Sequence, residues 1–229
     1  MKKIAVIVAG GIGTRMNNSV PKQFLLLNGK PVLYYTIDTF LKSFPDLEVI
    51  LVLPEEYIAA GQEIIDAFFD YSRIKITAGG RTRFHSVQNG LQMIKEESII
   101  FVHDGVRCLV TAALIHRCYN AAVQNGTAIP VIGTKDSVRL ITLASNEIID
   151  RAKIKLVQTP QTFHSKILLP AFNIDFKDKF TDEASVVEAF GIKIALVEGE
   201  ERNTKITTQL DLLIAEKIIE MQNTDPTIS

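Results

Sequence analysis

The chain has 229 residues, 47% of them apolar and 22% charged, which suits a soluble globular protein with room for a full hydrophobic core. Its 25 lysines and arginines nearly balance 26 aspartates and glutamates, for a formal net charge of −1. That excludes the broad basic surface needed to bind nucleic acid or an anionic membrane. Only two cysteines occur, Cys108 and Cys118, without CxxC or zinc spacing, so neither a disulfide scaffold nor a cysteine metal site is expected.

In chain order, the first element is a strand over 4–8, a short, β-branched apolar run of the kind buried on both faces of a sheet. It follows two lysines and runs into glycines rather than a cleavage motif, so it does not read as a secretory signal. No segment reaches the ~18 apolar residues of a membrane span, and a cytoplasmic, reduced protein is expected. Pro31 opens a helix carrying Val32, Leu33, Tyr35, Thr36 and Phe40. Strand 48–53 is followed by helix 55–69, then by strand 73–77, whose polar–apolar alternation marks a sheet edge. Helix 82–94, strand 98–102 and a helix capped by Thr111 come next, with Gly126 supplying its left-handed C-terminal residue. Strand 127–132 follows. Residues 136–157 hold β-like pieces about the turn Ala144-Ser145-Asn146 but no helix to cover them, so they read as a projecting hairpin arm. An isolated hairpin is marginal in water, which makes a second copy of the chain the simplest partner. A helix from Thr181 and Asp182 stops at Gly191, a strand spans 193–197, and a terminal helix over 208–221 turns Leu210, Leu213, Ile214 and Ile218 inward. The polar tail, 222–229, is expected to fray. Alternating strands and helices predict one α/β domain over 1–229, its mostly parallel sheet covered on both faces.

Ligands of such sheets lie at the carboxyl ends of strands. There the chain reads Ala9-Gly10-Gly11-Ile12-Gly13-Thr14-Arg15-Met16. Glycines at this place let backbone N–H groups approach phosphates. Met16 stands where a dinucleotide fingerprint needs glycine, which disfavours a dehydrogenase, and no Gly-Lys-Ser/Thr of a P-loop is present. Arg15 and Lys22, the latter in Pro21-Lys22-Gln23-Phe24, place two cations where a polyphosphate could lie.

The glycine turn with Pro21-Lys22-Gln23-Phe24 resembles the signature of nucleotidyltransferases that activate small phosphorylated compounds. Further motifs follow in family order. They are Gly79-Gly80 with Arg83 and Ser86-Val87; Val102-His103-Asp104-Gly105-Val106-Arg107; Lys135-Asp136-Ser137; and Asp150-Arg151. Gln158-Thr159-Pro160-Gln161, Thr181-Asp182-Glu183-Ala184-Ser185 and Asn203-Thr204-Lys205 complete the series. Together they resemble the 2-C-methyl-D-erythritol 4-phosphate cytidylyltransferase family of the non-mevalonate isoprenoid pathway, over nearly the whole chain.

The resemblance implies a Rossmann-like three-layer nucleotidyltransferase fold and transfer of CMP from CTP to a sugar-alcohol phosphate, with Mg²⁺ or another divalent cation. It implies Arg15, Lys22, Arg151 and Lys205 as catalytic cations, and Ala9, Gly10, Gly11, Gly13, Gly79, Gly80, Ser86 and Asp104 around CTP. Arg107, Ser137 and Thr159 would bind the acceptor, Asp104 would also touch the metal, and the arm would make a homodimer by crossing into the partner's site. His103 reads as packing, Asp182 and Glu183 as helix-terminal acids. Cys108 departs from the family's usual proline, which leaves the rigidity of its loop open. Ribitol 5-phosphate remains an alternative acceptor, because apolar discrimination of so small a difference is worth only about 1–3 kcal/mol. A non-catalytic nucleotide-binding protein on the same fold is a second alternative.

Overall fold

The structure, a computed structural model, describes residues 1–10 and 20–224, residue 223 by its backbone only. Its centre is a sheet built on β1 (Lys2–Val8), β4 (Leu47–Leu53), β5 (Ile74–Ala78) and β6 (Ser98–Asp104), all parallel, with β1 between β4 and β6 and β5 outermost. The edge position of β5 agrees with its alternating pattern. β7 (Thr127–Gly133) is joined to β6 through an antiparallel strand, β11 (Gln161–His164). β10 (Lys155–Val157) pairs antiparallel with β7, and β12 (Leu196–Glu198) pairs parallel with it.

Strand periodicity then sorts the core. Ala5 and Ile7 of β1 point to one face, where α1 (Val32–Ser43), α2 (Ile58–Phe68) and α4 (Ala112–Asn125) pack. Ile4, Val6 and Val8 point to the other, against α3 (Arg83–Gln92), α5 (Ser165–Ala171) and α6 (Glu183–Ala189). Successive strand residues face opposite ways, so a continuous apolar run serves two layers of helices. Caps fall where the residue types call for them. Thr82 and Thr111 accept from the backbone N–H of His85 and Leu114, and Gly126 closes α4 with a φ of 80°.

Several expectations change. The strand read over 193–197 is shorter and later, at β12, although Ala195 still bonds β7 through Ile129 and Thr127. The arm ends earlier than expected, because 155–157 return to the main sheet as β10. Its hairpin is β8 (Val138–Ile141) against β9 (Asn146–Ile149), a separate two-stranded sheet. A second hairpin, β2 (Leu26–Leu27) with β3 (Lys30–Pro31), went unread despite Asn28-Gly29 between them. Both turn residues have positive φ, 46° and 77°, as a tight hairpin turn requires.

The terminal helix α7 (Gln209–Thr224) is rotated from the expected face. Leu212, Ala215 and Ile219 pack on Leu27, Val32, Cys108, Leu109 and Ile206, with Ile218 partly buried beside them. Leu210, Leu213 and Ile214 are 63%, 55% and 46% exposed. This helix is apolar around much of its circumference, so periodicity alone did not select the buried stripe; contact with the β2–β3 hairpin did. Among the described residues no helix is long and apolar enough to cross a membrane.

Ile219→Ala should therefore cost about 2–4 kcal/mol in urea unfolding, whereas Leu213→Ala should change it by no more than about 0.5 kcal/mol. The reverse ranking would restore the face read from periodicity.

Candidate active site

The sheet register pairs Val8 with Asp104 at the carboxyl ends of β1 and β6. A cleft of about 300 Å³ opens there. Of the residues expected around a nucleotide, Ala9, Gly10, Gly80, Ser86 and Asp104 line it, together with the cations Lys22 and Lys205. Gly79 stands directly behind, since a methyl group added to it would lie 2.9 Å from Ser86 Oγ. Gly11, Gly13 and Arg15 lie outside the described residues.

Each wall is held by its own segment. The short 3-10 turn Lys22–Phe24 brings Gln23 inward, where its Nε2 donates to Ala9 O at 2.7 Å. Lys22 Nζ donates to Thr207 O at 3.0 Å, tying this wall to the segment that carries Lys205. On the α3 side, Ser86 Oγ accepts from Gly80 N at 3.1 Å and donates to Thr82 O at 3.0 Å. Gly80 has no room for a side chain, because a methyl group would come within 2.4 Å of His85 Cβ.

Asp104 is the electrostatic centre. Its Oδ1 accepts from Arg83 Nε at 3.2 Å and Nη2 at 3.1 Å. Its Oδ2 faces Lys205 Nζ at 3.1 Å and Arg107 Nε at 3.4 Å. Burial alone would raise this carboxyl's pKa, but Arg83, Lys205 and Arg107 outweigh it and hold Asp104 far below the usual carboxylate range. Arg83 also forks onto Glu183, Nη1 to Oε1 and Nη2 to Oε2. Burial would lower the arginine's pKa, yet the two carboxylates lift it above its ordinary value. Around the cluster three cations meet two carboxylates, and Lys22 adds a further positive charge at the cleft.

The acceptor-side expectations divide. Arg107 is largely buried, which lowers its pKa against the pull of Asp104. Its Nη1 donates to Asn203 O at 2.8 Å. Thr159 lies behind Asp104 and is only 5% exposed. The buried His103 ring holds its pKa down at about 3, mainly through loss of solvent, so the imidazole is neutral. With Nε2–H donated to Arg107 O (3.2 Å), Nδ1 accepts the Thr159 hydroxyl proton (3.0 Å). The same hydroxyl accepts from Asp104 N at 3.2 Å. Its single proton is directed at His103 in this structure rather than into the cleft, where the expectation had Thr159 meet an acceptor. Ser137 and Arg151 are not brought to this cleft. Ser137 is exposed at the foot of the arm, and Arg151 Nη1 donates to Lys135 O at 2.6 Å.

Two residues outside the expected site belong to it. Arg83 lines the cleft, and Glu183, expected only to favour a helix N-terminus, is its buried partner. Asp182 does cap α6, accepting from Ser185 N. The motif around Gly79 and Gly80 contained Arg83, but a partner a hundred residues away left no local signal. The loop whose usual proline is Cys108 here is nonetheless pinned, by Arg107 N to Asp104 O (3.0 Å) and Ile206 N to Val106 O (3.0 Å). Burial pushes the Cys108 thiol up to about 12, which leaves it inert.

Among the described residues no group of three or more His, Cys, Asp or Glu side chains could hold a metal. The lone carboxylate at the cleft, Asp104, has Oδ1 on Arg83 and Oδ2 on Lys205 and Arg107, so Mg²⁺ beside it would rest chiefly on phosphate oxygens and water.

The model of the 2-C-methyl-D-erythritol 4-phosphate cytidylyltransferase family matches residues 3–221. A protein of that name from Phocaeicola vulgatus is 45% identical over 219 residues, 96% of this chain and 100% of the relative. One from Bacteroides thetaiotaomicron is 43% identical with the same coverage. The crystal structure of 4-diphosphocytidyl-2C-methyl-D-erythritol synthase from Anaerococcus prevotii matches with a TM-score of 0.82 at 29% identity, covering 96% of this chain and 99% of that one.

The neutral His103 makes stability depend on pH. Between about 6.5, the unfolded value, and the folded value near 3, the unfolded chain binds a proton that the folded chain does not. Stability should therefore fall as pH drops through this window, by at most about 1.4 kcal/mol per pH unit. Urea midpoints between about pH 5 and 6.5 lie above the ordinary carboxylate range, and the comparison with a variant separates His103 from Glu183, whose pKa burial raises. His103→Phe should flatten that slope, and an unchanged slope would show that another group causes it.

Proposed function

The chain belongs to the 2-C-methyl-D-erythritol 4-phosphate cytidylyltransferase family, and from that premise we propose how its residues divide the work. The protein is an enzyme that transfers CMP from CTP to 2-C-methyl-D-erythritol 4-phosphate, giving 4-diphosphocytidyl-2-C-methyl-D-erythritol and pyrophosphate. Ribitol 5-phosphate is not favoured as the acceptor, because the matching family and these relatives are named for the erythritol compound.

An acceptor phosphate oxygen attacks the α-phosphorus in line. The bond from that phosphorus to the bridging oxygen breaks, and pyrophosphate leaves with the electron pair. With a second pKa near 6, the acceptor is mostly a dianion at neutral pH. It needs no general base, and the neutral His103, with both ring nitrogens engaged, does not offer one. The obstacle is repulsion between two anions, and fixed positive groups in a partly dry cleft are the means of lowering it.

The observation that carries the assignment is the convergence of Lys22, Arg83 and Lys205 on one cleft at the ends of β1 and β6. In this reading Lys22, with Arg15 from the glycine turn, neutralises charge on the α-phosphate and the departing pyrophosphate. Backbone groups of Ala9, Gly10, Gly79 and Gly80, with Gly11 and Gly13 of the same turn, surround the nucleotide, while Ser86 fixes Gly80. Lys205 and Arg107 receive the acceptor phosphate. Mg²⁺, held mainly by the CTP phosphates beside Asp104, would supply charge withdrawal from those oxygens. Thr159 keeps Asp104 and His103 in place. The substrates are soluble phosphorylated metabolites, and we place the enzyme in the cytoplasm.

Arg151 and Ser137 enter from a second chain in this proposal. The support is the arm itself: Ile141, Leu143 and Ile148 are more than 70% exposed, a poor state for an isolated hairpin. A two-fold dimer would cover them and bring each arm to the other's cleft.

Lys22→Ala should lower turnover roughly a hundredfold with the fold intact, read as pyrophosphate release from CTP and the acceptor; near-normal turnover would remove Lys22 from the mechanism. Mixing Lys22→Ala chains with Arg151→Ala chains tests the crossing. A random two-fold dimer then has one intact site in each heterodimer, so roughly a quarter of wild-type activity should return. No recovery, in a mixture shown to exchange chains, would place Arg151 in its own chain's site.

A further inference from the structure

Glu183 has no contact with the cleft, yet it is the anchor of the chain of charges that ends there. It is 1% exposed and sits in the first turn of α6. Both of its neighbours are fastened to the buried Gln161 of β11. Ala184 N donates to Gln161 Oε1 at 2.8 Å, and Gln161 Nε2 donates to Asp182 Oδ2 at 2.9 Å. The carboxylate is therefore mounted on the sheet rather than on a free helix end. Arg83 bridges it to Asp104, and one nitrogen, Nη2, is shared between the two carboxylates, at 3.2 Å from Glu183 Oε2 and 3.1 Å from Asp104 Oδ1. With Oδ1 occupied in this way, only Oδ2 remains for Lys205 and Arg107.

We propose that Glu183 is a positioning residue for the acceptor half of the site: by clamping Arg83 it orients Asp104, and Asp104 in turn sets where Lys205 and Arg107 stand. This rests on the reading that Lys205 and Arg107 receive the acceptor phosphate. Without the buried carboxylate, Arg83, whose side chain is 30% exposed on the cleft, is released from its rear contact. Asp104 then loses the fixed partner that keeps its two oxygens apart in function. A purely structural ion pair would contribute to folding and leave the substrates indifferent to its loss.

The test is a kinetic double-mutant cycle with Glu183→Gln, Lys205→Ala and the two combined, using CTP and the acceptor. Glu183→Gln, nearly isosteric, should raise the acceptor KM about tenfold or more while the KM for CTP moves less than about threefold. The combined variant should lose clearly less than the two single losses added together, because Glu183 acts in part through the group already removed, its remaining route being Arg107. Additive losses, or an acceptor KM unchanged in Glu183→Gln, would overturn the proposal. Should Glu183→Gln fail to fold, Glu183→Asp keeps the charge but draws it back by one carbon. The same acceptor-selective rise is then expected, and its absence would overturn the proposal equally. Full activity in Lys205→Ala would instead strike at the reading of the acceptor side, so the two failures are distinguishable.

Discussion

A buried carboxylate surrounded by cations organises this protein. Asp104 sits at the last position of a central strand, and burying it unpaired would be prohibitive. Arg83, Arg107 and Lys205 make its burial possible. They arrive from three separate stretches of chain: the turn into α3, the loop after β6, and the segment before α7. Folding that satisfies one acid therefore gathers the positive groups that two phosphorylated substrates need. Stability and function share the same interactions at this point.

Around that centre, the less conspicuous polar residues do the holding. Gln158 closes a two-way clasp on Glu200, its Nε2 donating to the carbonyl at 2.8 Å and its Oε1 accepting from the amide at 3.1 Å. Asn203 Nδ2 donates to Thr159 O at 2.8 Å while its own carbonyl receives Arg107. These contacts fasten the segment carrying Lys205 to the sheet. A lysine on an untethered loop would spend much of its time in solvent; here the backbone on both sides is restrained. Preorganised charge stabilises a transition state because it need not reorient when the reaction occurs, which is the role proposed for Lys205.

The chemistry asks little of acids and bases. The acceptor is already ionised, and His103 behind Asp104 is buried, neutral and hydrogen-bonded through both ring nitrogens. What remains for the protein is geometry and charge. The two ends of the molecule differ accordingly: the parallel half of the sheet forms the cleft, and the antiparallel half carries the projecting hairpin that the proposed dimer would use.

Much of this was legible in the sequence. Continuous apolar runs announced doubly covered parallel strands, and Thr111 and Gly126 marked the ends of α4 because capping is local chemistry. The glycine turn and its neighbouring lysine read as a phosphate site on equally local grounds, and of them Gly10 and Lys22 line the cleft. Other features required the folded chain. The inserted strand β11 is four residues long and is defined by its partners on both sides. The buried stripe of α7 was chosen by the surface it met, since apolar residues occupy several of its faces. That the Thr159 hydroxyl bonds His103 and Asp104 is visible only in the fold. The Arg83–Glu183 pair joins positions a hundred residues apart. By itself the sequence determined periodicity, caps and the identity of the charged groups, because these depend on near neighbours. Only the tertiary structure decided which charges face one another, because pairing across the fold is set by where the sheet carries each segment.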